Sequence, residues 1–280
     1  MRAAVSFEVY PPRSPDKLPG LQDSIRALAS VDPEFISVTF GAGGSSTRDS
    51  LNVLCFIKEK TQARPLAHFT CVGTTRAEAE ELIASFLDKG ITEFLALRGD
   101  LPEGETEHRG ELRHAVDLVH LMKNQVMRPQ PIRRIAVAAF PNGHPESSSL
   151  DEDIDTLLAK QNAGATLAIT QLFFYVDDYL RFVDRATDAG VDIPILPGIM
   201  PIISPTRLAR VLELTGERSP LELQQKLQST EIPHERMSFG IEWCANLIRD
   251  LINAGAPGIH LYAFNQHETV LSALEQAGVR

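Results

Sequence analysis

Eight short apolar runs recur along the chain, at residues 5–10, 35–40, 65–71, 93–98, 135–140, 167–174, 194–200 and 258–264. The stretches between them have helical character over about 15 residues or more. Strands that alternate with helices pair in parallel, because a parallel pair needs a crossover of roughly a dozen residues. Eight such units in 280 residues fit a closed (β/α)8 TIM barrel, a single catalytic domain over residues 1–280. The runs are continuous rather than alternating, as expected when helices cover one face and the barrel interior the other. Such barrels build their active sites on the C-terminal ends of the strands. That rule selects Glu8, Thr39, His68, Arg98-Gly99-Asp100, His144 and Gln171.

The helices carry their own signals. Thr75-Arg76-Ala77-Glu78 predicts a capping box, with Leu82, Ile83, Phe86 and Leu87 as the buried stripe and Gly90 as the stop. Ser149-Leu150-Asp151-Glu152 repeats the pattern before Ile154, Leu157 and Leu158, with Gly164 as the stop. The longest helical signal covers residues 235–254. Residues 102–110 and 141–149 directly follow the fourth and fifth runs and are candidate ligand or lid loops. Residues 205–233 hold two short helical pieces, which makes that connection longer than the others.

Charge and cysteine usage narrow the class. The formal net charge of -10 argues against a general nucleic-acid binder, yet leaves room for an anionic small molecule held by a few local cations. Cys55, Cys71 and Cys244 are scattered and show neither metal-ligand spacing nor a disulfide framework. The N-terminus leads into a strand without a signal-peptide apolar stretch, and no apolar run approaches the roughly 20 residues of a membrane helix. The expectation is a cytoplasmic protein without a membrane or nucleic-acid partner. The long barrel helices offer surfaces on which a homo-oligomer could pack.

Glu8 is the one carboxylate inside the first run, flanked by Phe7, Val9 and Tyr10. Desolvation there would raise its pKa, as a general acid at neutral pH requires; the alternative is a structural Glu paired with Arg13 or another cation. Gly99 would let a ligand approach the backbone and Asp100 would add a fixed charge, although Gly-Asp is also an ordinary turn. Residues 41–46, a glycine-rich turn, match the dinucleotide fingerprint poorly because Ser46 stands where its last Gly belongs. A turn that shapes the mouth is the better reading. The Gln171 amide can donate and accept together, which suits a heterocycle edge or the neighbouring backbone. His68 and His144 fall on different strand ends without zinc-site spacing, so no metal is expected. His108, His114, His120, His234 and His267 read as solvated positions.

Taken in order, these pieces resemble the methylenetetrahydrofolate reductase family in its bacterial single-domain form. The resemblance is carried by Phe7-Glu8 with Pro11-Pro12-Arg13, residues 37–44, His68-Phe69-Thr70-Cys71, Leu97-Arg98-Gly99-Asp100, residues 138–141 with His144-Pro145-Glu146, residues 169–174, and Pro197-Gly198-Ile199-Met200-Pro201. It spans essentially the whole chain. The resemblance implies non-covalent FAD, NADH or NADPH as donor, and reduction of 5,10-methylenetetrahydrofolate to 5-methyltetrahydrofolate for methionine synthesis. It implies Glu8 as general acid and Asp100 as the carboxylate beside flavin and pterin. FAD would be held by Thr39, His68, Arg98, Gly99, Asp100, His144, Glu146, Asp153 and Lys160, and the folate by Glu8, Gln171 and Tyr262. Ala159, Val211 and Gln266 stand where the family's pattern often has a basic residue, an aromatic and an Arg. No C-terminal regulatory domain of the longer eukaryotic form is expected.

Two other classes compete. A lyase or aldolase acting on a phosphorylated substrate would want a phosphate-binding glycine loop after the seventh or eighth strand. It would often also use a strand-borne Lys, and neither feature is evident. A non-catalytic flavin- or folate-binding subunit would have little need for the partly buried acid Glu8.

Overall fold

The eight apolar runs become strands of one all-parallel sheet in the computed structural model, which describes residues 3–12, 14–40, 47–99, 110–124 and 131–279. The strands are β1 (Ala4–Val9), β2 (Phe35–Val38), β3 (Arg64–Thr70), β4 (Glu93–Leu97), β5 (Arg134–Ala139), β6 (Leu167–Thr170), β7 (Ile195–Leu196), β8 (Gly198–Ile199) and β9 (Gly258–Tyr262). Their order is β7-β6-β5-β4-β3-β2-β1-β9-β8. β7 and β8 are the two halves of the single run 194–200, interrupted at Pro197, which has no N–H to give the ladder. The first half pairs with β6 through Ile195 and Leu196, the second with β9 through Gly198 and Ile199. One broken strand therefore closes the ring, and the expected eight-stranded barrel is what forms. Gly198 permits the closure: a Cβ there would stand 2.3 Å from the Thr170 carbonyl oxygen and 2.7 Å from the Tyr262 hydroxyl.

Helices α1 (Leu18–Ala29), α2 (Thr47–Lys60), α3 (Arg76–Asp88), α4 (Ala115–Lys123), α5 (Leu150–Ala163), α6 (Val176–Asp188), α7 (Pro205–Thr215), α8 (Leu221–Ser229), α9 (Pro233–Asn253) and α10 (His267–Ala277) fill the connections. The Thr75–Glu78 capping box forms in both directions. The second one forms only in half. Ser149 accepts from the Glu152 N–H, but the Glu152 carboxylate turns to the backbone N–H and hydroxyl of Ser148, at 2.8 and 2.7 Å.

The main apolar core lies between the outer faces of the strands and the helices. A second cluster fills the barrel interior with Phe35, Leu66, Leu95, Ala136, Leu167, Ile169 and Leu196. A third lies under α7 and α8, where Leu172, Phe174, Met200, Ile202, Leu208, Val211, Leu223 and Leu227 pack together. This third cluster explains why the sixth run stays apolar to residue 174 although β6 ends at Thr170. Its last residues feed the helical excursion rather than the sheet.

The N-terminal end of the barrel is closed by charge. The Glu93 carboxylate is buried between Arg64, at 3.4 Å, and Arg134, at 3.4 Å, and both arginines also reach Glu34. Arg134 lies over the Phe35 ring at 5.2 Å, within the roughly 6 Å reach of a cation–π contact. The opposite, C-terminal end is open, and the side chains singled out from the sequence gather there.

Candidate active site

Glu8 projects from β1 into the barrel, at the floor of a cavity of about 330 Å³, within the size range of small-molecule sites. The cavity walls are mostly apolar and come from every side of the barrel: Leu95, Leu97, Ala138, Phe140, Ile169, Met200 and Tyr262 below, Val211, Leu214 and Thr215 of α7 above. Its polar lining side chains are Glu8, His68, Gln171 and Thr215, with the phenol of Tyr262.

Two imidazoles face the Glu8 carboxylate. His68 Nε2 of β3 lies 3.4 Å from Glu8 Oε2, and His260 Nε2 of β9 lies 3.8 Å from the same oxygen. Neither nitrogen has a hydrogen-bond partner among the described residues. His260 is fully buried and anchored from behind. Its Nδ1 is 2.8 Å from Ser6 Oγ, and its ring stacks on Phe35 at 5.7 Å. Strand pairing sets this arrangement, since β1 lies beside β9 with Ser6 opposite His260 and Glu8 opposite Tyr262.

The expected rise of the Glu8 pKa is overturned. Burial does push it up, but the charge of a protonated His68 and the polar contact with His260 act more strongly, and the carboxyl lies below its ordinary value. Burial in turn pushes His68 below its ordinary value, against the pull of Glu8. The lowering of Glu8 draws on a proton that burial disfavours on His68. Both shifts run downward, so with the cavity open neither group favours its protonated form at neutral pH, and a change in solvation is needed to put a proton on the carboxyl. The sequence shows only the apolar neighbours of Glu8 along its own strand; both imidazoles arrive from other strands.

His260 and Ser6 were not among the residues selected from the sequence. The signal was present: in Gly258-Ile259-His260-Leu261-Tyr262 every second residue shares a face, so His260 points the same way as Tyr262.

The other selected residues separate into two groups. Gln171 lines the cavity, but its Oε1 accepts from the N–H of Leu172 at 2.9 Å, which leaves its Nε2 group for a ligand. The Tyr262 hydroxyl donates to the Thr170 carbonyl at 2.7 Å, so its ring serves as a wall; burial, then the nearby Glu8, hold the phenol above its ordinary pKa. The remaining residues lie around the ends of β2 to β5. Thr39 Oγ1 is buried without a hydrogen-bond partner among the described residues. Arg98 makes a two-point ion pair with Glu146, Nη2 to Oε1 being 2.8 Å. Gly99 has φ +90, and a Cβ there would stand 2.7 Å from Val72 Cγ1, so only glycine fits this turn. Asp153 Oδ2 and Oδ1 accept from the His144 N–H at 3.0 Å and the Ser147 hydroxyl at 2.7 Å, which fastens the loop after β5 to α5. Lys160 is buried on the same face of α5, donates to the Ala138 carbonyl at 3.1 Å, and is pushed down by burial to a pKa of about 8. Ala159 is exposed.

Asp100, Arg13, the glycine-rich turn 41–46 and residues 102–109 lie outside the described residues. Among the described residues, no three His, Cys, Asp or Glu side chains come together as metal ligands, and no helix is long and apolar enough to cross a membrane. The residues around β2 to β5 fit an anionic cofactor. They offer a buried hydroxyl with no hydrogen-bond partner among the described residues, Thr39 Oγ1, together with the imidazole of His68 and two cations, Arg98 and Lys160.

Comparison with known proteins agrees with this geometry. A family model for methylenetetrahydrofolate reductase matches residues 1–278. The 5,10-methylenetetrahydrofolate reductase of Salmonella typhimurium is 35% identical over 277 residues, covering 99% of this chain and 91% of that protein. The enzyme of the same name from Escherichia coli K12 is 34% identical over 277 residues, with the same coverage of 99% and 91%. In fold, the chain is similar to an uncharacterized protein from Clostridium thermocellum that binds two copies of 5-methyl-5,6,7,8-tetrahydrofolic acid. The TM-score is 0.67 at 14% identity, over 99% of this chain and 94% of that one. With a full-length family match and relatives at this identity, the chain belongs to the methylenetetrahydrofolate reductase family, whose members are oxidoreductases.

Proposed function

We propose that this chain reduces 5,10-methylenetetrahydrofolate to 5-methyltetrahydrofolate, with non-covalent FAD and with NADH or NADPH as electron donor, and so supplies methyl groups for methionine synthesis. The observation that carries the reading is the Glu8 carboxyl, set against two imidazoles on the floor of an apolar cavity in a chain of this family. The folate bound to the structural relative supports the substrate class.

Opening the folate's five-membered ring requires a proton on the departing nitrogen, which leaves a methylene iminium on the other. Glu8 gives that proton. In the open cavity both Glu8 and His68 are held below their ordinary pKa values, so the carboxyl must take up its proton when the substrate binds. A folate that fills the cavity expels water and strengthens the burial that already favours the neutral carboxyl, which raises the Glu8 pKa and favours its protonation. His260, held by Ser6, keeps the carboxyl in place from below. Asp100 would stabilise the positive iminium, a role suited to a fixed carboxylate in a dry site. Gln171 would orient the heterocycle with its free amide N–H, against the Tyr262 ring.

FAD, when bound, supplies the hydride that the iminium carbon accepts. The Thr39 hydroxyl and the His68 imidazole would hold it, and Arg98 and Lys160 would supply positive charge for its phosphates. Anaerobic incubation of the FAD-loaded protein with methylenetetrahydrofolate and either nicotinamide donor should give 5-methyltetrahydrofolate, identified by mass. Absence of that product with both donors would overturn the reading.

A further inference from the structure

One aromatic residue stands exposed over the cavity on strained backbone. Phe264 follows β9 with φ 46 and is succeeded by Asn265 at φ 59, two consecutive side-chain-bearing residues in the left-handed region. Such a turn persists only where its surroundings hold it. Here Asn265 Oδ1 accepts from the Tyr10 N–H at 3.0 Å, its Nδ2 donates to the Tyr10 carbonyl at 2.9 Å, and its own carbonyl accepts from Ser24 Oγ at 3.2 Å. The ring that this bracing presents is not packed away. Phe264 is 42% exposed, touches Tyr10 edge-on at 6.1 Å, and lines the mouth of the cavity.

Arg207 lies close by. It sits in the first turn of α7, one helical turn before Val211, which lines the cavity, so the two share a face. It is half-buried, and its guanidinium makes no hydrogen bond or ion pair with the described residues; its electrostatic neighbour is the Tyr10 phenol. Arg64, Arg98 and Arg134, by contrast, all have carboxylate partners. A guanidinium partly withdrawn from water without a partner is suited to an incoming anion.

We propose that Phe264 and Arg207 form a rim subsite for a planar aromatic group that carries an oxyanion: Phe264 stacks on the ring, and Arg207 pairs with the carboxylate or phosphate beyond it. The inference rests on the reductase reading above, whose two substrates both have this chemistry. The folate has an aminobenzoyl ring ending in glutamyl carboxylates, and the donor has a nicotinamide ring followed by phosphates. Both residues are positioning residues and take no part in proton or hydride transfer.

Anaerobic calorimetric titration of the FAD-loaded protein, its flavin reduced beforehand with dithionite so that no probe can pass hydride to it, tests this without turnover, using 5-methyltetrahydrofolate as mono- and triglutamate, NADH and NADPH as probes. Phe264→Gly adopts the same φ without strain, so the turn survives while the ring is lost. It should weaken binding of one ligand class about 3- to 10-fold, and Phe264→Tyr should stay within twofold of wild type. Arg207→Gln should weaken the same class about 3- to 10-fold, with Arg207→Lys retaining most of the affinity. If the class is folate, the Arg207 effect grows from mono- to triglutamate. If it is the donor, the loss appears with NADH and is larger with NADPH. Dissociation constants within twofold of wild type for every probe would overturn the subsite, as would equal losses in Phe264→Gly and Phe264→Tyr, effects of the two positions on different ligand classes, or no binding of any probe by the wild type. Failure of the reductase reading shows separately, as wild-type protein that binds these ligands but forms no 5-methyltetrahydrofolate.

Discussion

Glu8 and Lys160 are both ionisable groups withdrawn from water, and they differ in what surrounds them. Glu8 faces His68 and His260, so its charge and its proton each have somewhere to go. Glu8→Gln keeps the shape of the side chain and removes the proton. Fold and FAD binding should be retained, while reoxidation of the reduced flavin by methylenetetrahydrofolate should slow about 10²- to 10⁴-fold, the usual contribution of a general acid. Stopped-flow spectroscopy separates that step from flavin reduction by NADH, and normal reoxidation would remove Glu8 from the mechanism. Lys160 has less compensation: one carbonyl at 3.1 Å, the attraction of Asp153, and a pKa of about 8 in place of 10.5. A lysine depressed in the folded state is a burden while it stays charged in that state. The penalty is full below about pH 8 and fades as pH rises toward 10.5. The depression corresponds to about 3 kcal/mol. Lys160→Met should therefore raise Tm by several degrees at pH 7, with little gain near pH 10.5, and should weaken FAD binding about 10-fold or more. A lower Tm at pH 7 with unchanged FAD affinity would make Lys160 a structural cation instead.

At the scale of elements, the connection after β8 departs most from a plain barrel. α7 and α8 bring their own apolar cluster and lay Val211, Leu214 and Thr215 over the cavity. The link between α7 and α8 is fastened to the rest of the mouth by Asn142, whose Nδ2 donates to Glu217 at 2.7 Å and to Asp178 of α6 at 3.2 Å. One amide thus bridges two carboxylates. Burial raises the Glu217 pKa, the Asn142 bond opposes this, and the Asp178 charge adds to the rise. A carboxyl raised in the folded state makes the protein less stable once it ionises, and the loss disappears when pH falls low enough to protonate it. Glu217→Gln keeps an acceptor for Asn142 and removes the repulsion. It should raise Tm slightly at pH 7 and leave it equal to wild type near pH 4. A drop at pH 7 would mean that Arg218, rather than Asn142, holds this link. The long connection was legible in the sequence as two short helical pieces, and so were the eight runs and the Thr75–Glu78 box. The break at Pro197 and the end of β6 at Thr170 were not, because both depend on what the chain packs against after the strand.

Across the whole molecule, the two ends of the barrel place their buried charge in opposite ways. At the closed end, Glu93 is matched by Arg64 and Arg134, and Glu34 meets both arginines from outside. At the open end, Glu8 meets imidazoles that can be neutral instead of fixed cations. Much of this division lay beyond the sequence. Ser6 and His260 are 254 positions apart and meet only because β1 pairs with β9, and Glu93 reads in sequence as an ordinary polar residue at the start of a strand. The division predicts that equivalent changes at the two ends have opposite consequences. Glu93→Gln removes the buried carboxylate and leaves two partly exposed arginines sharing Glu34, and breaking such a set from one side costs up to about 3 kcal/mol. For a chain of this size that is about 6–12 °C in Tm. Its dissociation constants for FAD and folate should stay within twofold of wild type, because the site is built from the other ends of the strands. Glu8→Gln should do the reverse, with Tm within about 2 °C of wild type, as for a near-isosteric change that leaves packing intact, and turnover lost. Thermal melts and folate turnover measured on both variants decide the matter. If Glu93→Gln lowered turnover as far as it lowered Tm, the closed end would be coupled to the site, and the assignment of stability to one end and chemistry to the other would fail.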